Sequence, residues 1–101
     1  MTLVYSRRAL SDIDDILGHI RQKSPQGSRS LSFAIEHAIQ VCASHPRGGT
    51  PIDEPNVYRW PLSRYRYTIF YRFEPTQHVV EIVRVVHAAL VRDLGRLPDD
   101  P

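Results

Sequence analysis

Tyr65-Arg66-Tyr67-Thr68-Ile69-Phe70-Tyr71-Arg72-Phe73 and, just beyond it, Val79-Val80-Glu81-Ile82-Val83-Arg84-Val85-Val86-His87 decide the fold of this chain. Both runs are β-branched and aromatic, and both are too short and too apolar for surface helices. Only the polar connector Glu74-Pro75-Thr76-Gln77-His78 separates them. The pair therefore reads as an antiparallel hairpin. Side chains alternate across a strand, so Tyr65, Tyr67, Ile69, Tyr71 and Phe73 share one face. Arg66, Thr68, Phe70 and Arg72 share the other. The bulkier face is expected to pack beneath helices, and the arginine-bearing face to look onto an open, concave side. The second run is apolar on both faces, which suits a central strand.

Working back from the hairpin, two helical segments precede it. Ala9, Leu10, Ile13, Ile16, Leu17 and Ile20 recur at helical spacing and form one stripe. Ser6 is placed to cap this helix. Asp12, Asp14, Asp15 and Arg21 fall off the stripe, and the acids read as a solvated face rather than a metal site. The helix is expected to stop near Lys23, at Ser24-Pro25-Gln26-Gly27. Ser28 or Ser30 can cap a second helix, whose apolar face is Leu31, Ala34, Ile35, Ala38, Ile39, Val41 and Cys42. His45-Pro46 closes it, because the residue before proline disfavours the α region. So short a link predicts an antiparallel helical hairpin. Residues 47–55 read as a loop rich in Gly and Pro. Val57-Tyr58-Arg59-Trp60 reads as a short strand limited by Pro61. Leu3-Val4-Tyr5 becomes a strand only if a sheet takes it in. Downstream, Ala88 to Leu94 suggests a short helical turn, stopped near Gly95 and Pro98. The expected class is α+β: an N-terminal strand, a helical hairpin, a three-stranded antiparallel sheet and a short C-terminal helix.

A chain of 101 residues reads as one domain, 1–101, with a modest core that needs no disulfide. Its one cysteine, Cys42, lies among apolar residues and reads as a small core side chain. A reactive thiol would need an electropositive, partly exposed setting. No apolar run approaches the length of a membrane span, and Met1 to Arg8 lacks the layout of a signal peptide. A cytoplasmic protein with no membrane partner is expected. Net charge is only +2, too little to name a nucleic-acid binder by itself. Lys23 is the sole lysine among 13 basic residues. Arginine forks suit carboxylates and phosphates, although a genome rich in G and C would give the same bias with no binding role.

Catalytic and metal motifs are absent from the sequence. No two of His19, His37, His45, His78 and His87 have the spacing that places two ligands on one helix face. Gly48-Gly49 lacks the Lys and Ser/Thr of a phosphate loop, and there is no nucleophile elbow. No cofactor and no metal are expected. His87 is the best single candidate for a general base near neutral pH. The alternative is a structural histidine bonding a neighbouring loop. Arg59, Arg66, Arg72 and Arg84 fall on strands and could line one groove for phosphates or for an acidic protein segment. Alternatively, each covers sheet edge with its aliphatic stem. Tyr58, Trp60, Tyr65 and Tyr67 could stack on bases or serve as core and interface aromatics.

Taken in order, these residues resemble the RelE/ParE superfamily of toxins from type II toxin–antitoxin systems. The resemblance rests on Ser6-Arg7-Arg8-Ala9 with Asp12-Ile13-Asp14-Asp15-Ile16, on the helix end at Pro46 followed by Gly48 or Gly49, on Tyr67-Thr68-Ile69-Phe70-Tyr71-Arg72, and on Ile82-Val83-Arg84-Val85-Val86-His87-Ala88-Ala89. It implies that Leu3-Val4-Tyr5 joins the sheet, and that an antitoxin encoded alongside wraps and blocks the toxin; an amphipathic helix or extended tail is expected in a groove beside the helical hairpin and the open sheet, with apolar anchors and acids opposite Arg. RelE-like members cut messenger RNA on the ribosome, using Arg and Lys at the phosphate. ParE-like members poison DNA gyrase and lack that set. The RelE-type strand arginine falls here at Thr68, the arginine after the last strand at Ala89, and the two sheet lysines at Arg59 and Pro61. Losing even one donor aimed at developing charge typically lowers rate ~10²-fold or more. The resemblance therefore implies the ParE-like branch, acting on gyrase by binding rather than by bond chemistry. The sequence departs from that branch as well, because Ala89-Leu90-Val91 displaces its Arg92-Asp93 pair. Arg59, Arg66, Arg72, Arg84, His87 and Arg92 are the candidates for antitoxin or target contacts. The rival readings are a ribosome-dependent endoribonuclease using His87 and Arg59 with Arg84 or Arg92, and a non-toxic member that only binds antitoxin.

Overall fold

A computed structural model describes residues 1–98. The order is β1 (Thr2–Tyr5), α1 (Arg7–Lys23), α2 (Pro25–Ser44), β2 (Thr50–Pro51), β3 (Val57–Pro61), β4 (Tyr67–Glu74), β5 (Val79–His87) and a 3₁₀ turn (Ala88–Leu90). The strands form one sheet in the order β1-β5-β4-β3-β2. β1 pairs parallel with β5, from Thr2 opposite Val79 to Tyr5 opposite Ile82. The other pairings are antiparallel. The architecture is thus α+β, with two helices against a mixed, open sheet.

Three details differ from the sequence reading. The second helix is capped not by Ser28 or Ser30 but by Ser24, whose Oγ accepts the Gly27 N–H at 2.9 Å. The breaker Pro25 becomes the first helical residue, where its missing N–H costs nothing. Ser24 also ends α1, its own N–H bonding Ile20 O, so one residue makes the whole turn. Second, Thr50 and Pro51 form an extra edge strand opposite Arg59 and Tyr58. Proline is tolerated there because an edge leaves N–H positions unpaired. Third, the C-terminal helix reduces to a single 3₁₀ turn. Beyond it the Asp93 carboxylate accepts the Gly95 N–H, a local turn that competes with further helix.

Both helices lie on one face of the sheet. Ala9, Leu31, Ile35, Ala38, Ile39 and Cys42 pack there on Ile69, Tyr71, Phe73, Val80, Ile82 and Val85, with Tyr65 and Tyr67 partly buried against them. The bulkier face of the first strand therefore does pack beneath the helices. Each fully buried large aliphatic contributes roughly 1.5–3 kcal/mol. A register shift between Phe70 and Tyr71 makes Arg84 the partner of Phe70 and Ile82 that of Tyr71, and leaves Val83 as an extra residue. This bulge lets Ile82 and Val85 both face the core.

The second face is not the open surface expected. Thr68, Phe70 and Val86 on it are buried, at 7%, 0% and 3% exposure. Arg59, Phe70 and Arg84 stand in one row across β3, β4 and β5. Arg59 Nη1 donates to Leu94 O at 2.9 Å, and Arg84 Nη1 reaches Pro98 O at 3.4 Å. The chain after the 3₁₀ turn therefore crosses above Phe70. Asp53 N–H, donating to Gly95 O at 2.6 Å, pins its middle. Among the described residues, no helix is long and apolar enough to cross a membrane.

Candidate partner-binding site

β1 covers β5 only as far as Ile82, and the exposed backbone beyond would be left unpaired. The start of α1 supplies the partners. Ser6 N–H donates to Ile82 O at 2.9 Å and its hydroxyl to Val83 O at 2.8 Å. Asp12 Oδ2 accepts the Val85 N–H at 3.0 Å. The same carboxylate receives Arg84 Nε at 2.8 Å, Arg84 Nη2 at 3.3 Å and Arg8 Nε at 3.2 Å. Asp12 is buried, whereas Asp14 and Asp15 are exposed. The acidic cluster is thus split: one structural acid and two solvated ones. A signal for this was present, since Asp12 lies three residues after the buried Ala9 and four after Arg8, the spacing of helical neighbours.

The arginines on the strands do not converge on one groove. Arg84 is 9% exposed and tied to Asp12. Arg72 lies between two carboxylates, Glu54 at 2.8 Å and Glu81 at 3.0 Å. Arg59 holds the C-terminal segment. Arg66 is exposed, and its carbonyl accepts the Ala88 N–H. Arg92 is exposed beyond the 3₁₀ turn. His87 caps that turn: its Nδ1 accepts the Ala89 N–H at 3.0 Å, and its ring stands edge-on to Tyr67 at 5.2 Å. Among the described residues, no group of three or more His, Cys, Asp or Glu is placed to hold a metal ion.

A concave feature beside the helical hairpin lies at the other edge. A cleft of about 530 Å³ opens between α2 and the β2–β3 edge. Ala34, Ala38 and Val41 form its helical wall, Trp60, Leu62 and Tyr65 the opposite one, and His37, Arg59 and Arg64 bring basic groups to it. The floor depends on Gly49. A Cβ there would lie 2.7 Å from Tyr71 Oη and 2.9 Å from Arg59 O. Its N–H donates to Tyr71 Oη at 3.0 Å, and the Tyr71 ring stacks on Tyr58 at 5.3 Å. Burial pushes the Tyr71 phenol up to about 12. Burial likewise raises the Cys42 thiol to about 12, which makes it an inert core group.

The geometry is that of a two-helix cover on one sheet face with a basic-rimmed apolar cleft beside it. The family model described as ParE toxin of type II toxin-antitoxin system, parDE, matches residues 3–90. The chain belongs to the ParE toxin family. Solved structures share its fold. The chromosomal ParDE toxin–antitoxin system from P. aeruginosa superposes with a TM-score of 0.73 at 20% identity, covering 86% of this chain and 95% of that one. The intact E. coli RelBE toxin–antitoxin complex gives 0.62 at 17%, covering 86% and 95%. The RelBE2 toxin–antitoxin complex from Mycobacterium tuberculosis gives 0.58 at 24%, covering 85% and 88%. No match is found among the curated proteins. At these identities the structural likeness speaks for the fold of the ParE-family chain and leaves its site to be argued from its own residues.

Proposed function

We propose that this ParE-family chain is held silent by an antitoxin seated in the cleft between α2 and the β2–β3 edge, and that its target is DNA gyrase, engaged by binding alone. Toxin–antitoxin complexes among its structural relatives support a protein partner. The cleft suits one: an apolar floor for hydrophobic anchors, with His37, Arg59 and Arg64 to meet acidic side chains.

The observation that carries the binding reading is where the cations of the sheet go. Stabilising charge at a scissile phosphate needs donors aimed at it and uncommitted. Arg59 serves a tail carbonyl, Arg72 two glutamates and Arg84 a buried aspartate. Thr68, where the RelE-type strand arginine would fall, is buried. His87 Nδ1 is engaged with its own turn.

Induced expression tests the proposal. A gyrase poison raises the DNA-damage response and filaments the cells while translation continues. Purified chain should also accumulate cleaved plasmid with gyrase. Translation that stops within minutes, with cut transcripts, would reject this reading for the ribonuclease one. A chain that does neither yet copurifies with its antitoxin would be a non-toxic member.

A further inference from the structure

The arginines within the strands are committed, but a different set stands at one end of the sheet. From Pro55 to Phe73 the chain carries four arginines and no acid, and from Ile82 to Arg92 two arginines and no acid. The fold brings the middle of the first stretch against the end of the second. Leu62 N–H donates to Tyr67 O at 2.9 Å, which closes the β3–β4 loop around Arg64 and Arg66. Ala88 N–H donates to Arg66 O at 2.7 Å, so the 3₁₀ turn seats on that loop. Val91 N–H donates to Ala88 O at 3.1 Å, and Arg92 follows directly. Arg64, Arg66 and Arg92 are exposed. Among the described residues, no carboxylate pairs with any of these three guanidiniums. Asp93, next to Arg92 in the chain, accepts the Gly95 N–H instead.

We propose that this end of the sheet is a contact surface for the phosphate backbone of duplex DNA. Exposed guanidinium forks without an internal partner suit phosphate oxygens. A patch of one sign fits a polyanion better than the mixed charges of a protein rim. Ala88 and Ala89, between Arg66 and Arg92, are small and exposed, so the backbone of the turn can come close to the duplex. Leu90, 63% exposed in the same turn, would lie against the apolar edge of the sugars. A single strand would want exposed rings to stack on, whereas Tyr65 and Tyr67 are partly buried against the core. Arg64 also lines the cleft read as the antitoxin's seat, so a seated antitoxin would cover part of this surface. The proposal rests neither on that reading nor on gyrase, because DNA alone reads it out.

The test is fluorescence anisotropy of a short labelled DNA duplex titrated with the purified full chain, without antitoxin or gyrase, over a series of salt concentrations. Three phosphate contacts predict that log K falls against log salt with a slope of about −3. Arg64→Gln with Arg66→Gln and Arg92→Gln is expected to weaken binding at least tenfold at low salt, with the melting temperature unchanged. Each arginine removed should flatten the slope by about 1. Arg21→Gln with Lys23→Gln and Arg29→Gln removes the same charge at the turn between the helices and should leave affinity within twofold. No salt-dependent binding by the native chain overturns the proposal. So does equal loss in the two triple variants, which would mean diffuse charge attraction. Tighter binding of single-stranded RNA than of the duplex overturns the DNA assignment. Loss of gyrase-dependent cleavage in the first triple variant with DNA affinity unchanged would make the patch a protein contact and overturn it as well. Gyrase-dependent cleavage without DNA binding sinks this proposal alone, whereas DNA binding without such cleavage sinks the gyrase reading and supports this surface.

Discussion

At the scale of single residues, Asp12 decides most. One carboxylate closes the open edge of β5, anchors α1 to the sheet and neutralises Arg84. Removing one partner of a buried pair leaves an uncompensated charge, which costs about 3–5 kcal/mol. Asp12→Ala should therefore lower the urea-derived stability by about that much. Replacing Arg84 by Met in the same chain should restore part of it, because the buried guanidinium goes too. If Asp12→Ala alone changes the midpoint by no more than an exposed substitution such as Asp15→Ala, the acid is not structural. Gly49 makes the complementary case from packing. A methyl group at 2.7 Å from Tyr71 Oη and 2.9 Å from a backbone carbonyl has nowhere to go. Gly49→Ala should cost about 1–3 kcal/mol by overpacking, and chemical denaturation of the pair would measure it. A neutral outcome would mean that the β2 edge yields easily.

At the scale of elements, the two helices turn on Ser24, which ends one and starts the next. Ser24→Ala should cost about 1 kcal/mol, the usual worth of an N-cap side chain. Ser28→Ala, which removes the hydroxyl bond to Leu17 O at 3.0 Å between the helices, should cost a similar amount. Thermal melts measure both losses, and amide exchange distinguishes a cap at Ser24 from one at Ser28, because only Ser24→Ala should also speed exchange at Gly27. These elements also mark what the sequence makes legible. The helical stripes, the β4–β5 hairpin and the face of Ile69, Tyr71 and Phe73 follow from periodicity, since local pattern and burial agree there. The edge strand Thr50–Pro51 and the tail over Phe70 were not legible. Each is held by long-range bonds, to Arg59, Tyr58 or Asp53, that no window of neighbouring residues contains. The fate of Arg84 was hidden in the same way, because its partner Asp12 lies 72 residues away in the chain. A groove beside the helical hairpin was expected for the antitoxin, but its lining was not legible because its walls, α2 and the Trp60–Tyr65 segment, lie far apart in sequence.

At the scale of the whole molecule, the core holds several ionisable groups in their neutral form, and that sets a limit on the alkaline side. Burial raises the thiol of Cys42 from 9.0 and the phenol of Tyr71 from 10.0, each to about 12. Tyr5, outside the core on the edge strand β1 and 38% exposed, is raised as well, first by partial burial and then by the Glu36 carboxylate. In each case the folded chain keeps a proton that the unfolded chain releases earlier. The contribution to stability is fully present below the unfolded values, near pH 9 for the thiol and 10 for the phenols. It is lost as the pH rises toward about 12, where the folded groups finally ionise. Above the unfolded pKa the unfolded state binds fewer protons, so the slope of unfolding free energy against pH is negative. Urea midpoints measured from pH 8 upward should hold level and then fall. Tyr71→Phe starts from a less stable protein, having lost the bond from Gly49, but its decline above pH 10 should be shallower because one titrating group is gone. Parallel curves for the two proteins would mean that Tyr71 ionises in the folded state as freely as in the unfolded one, and that its ring is not sealed between Tyr58, Gly49 and the core.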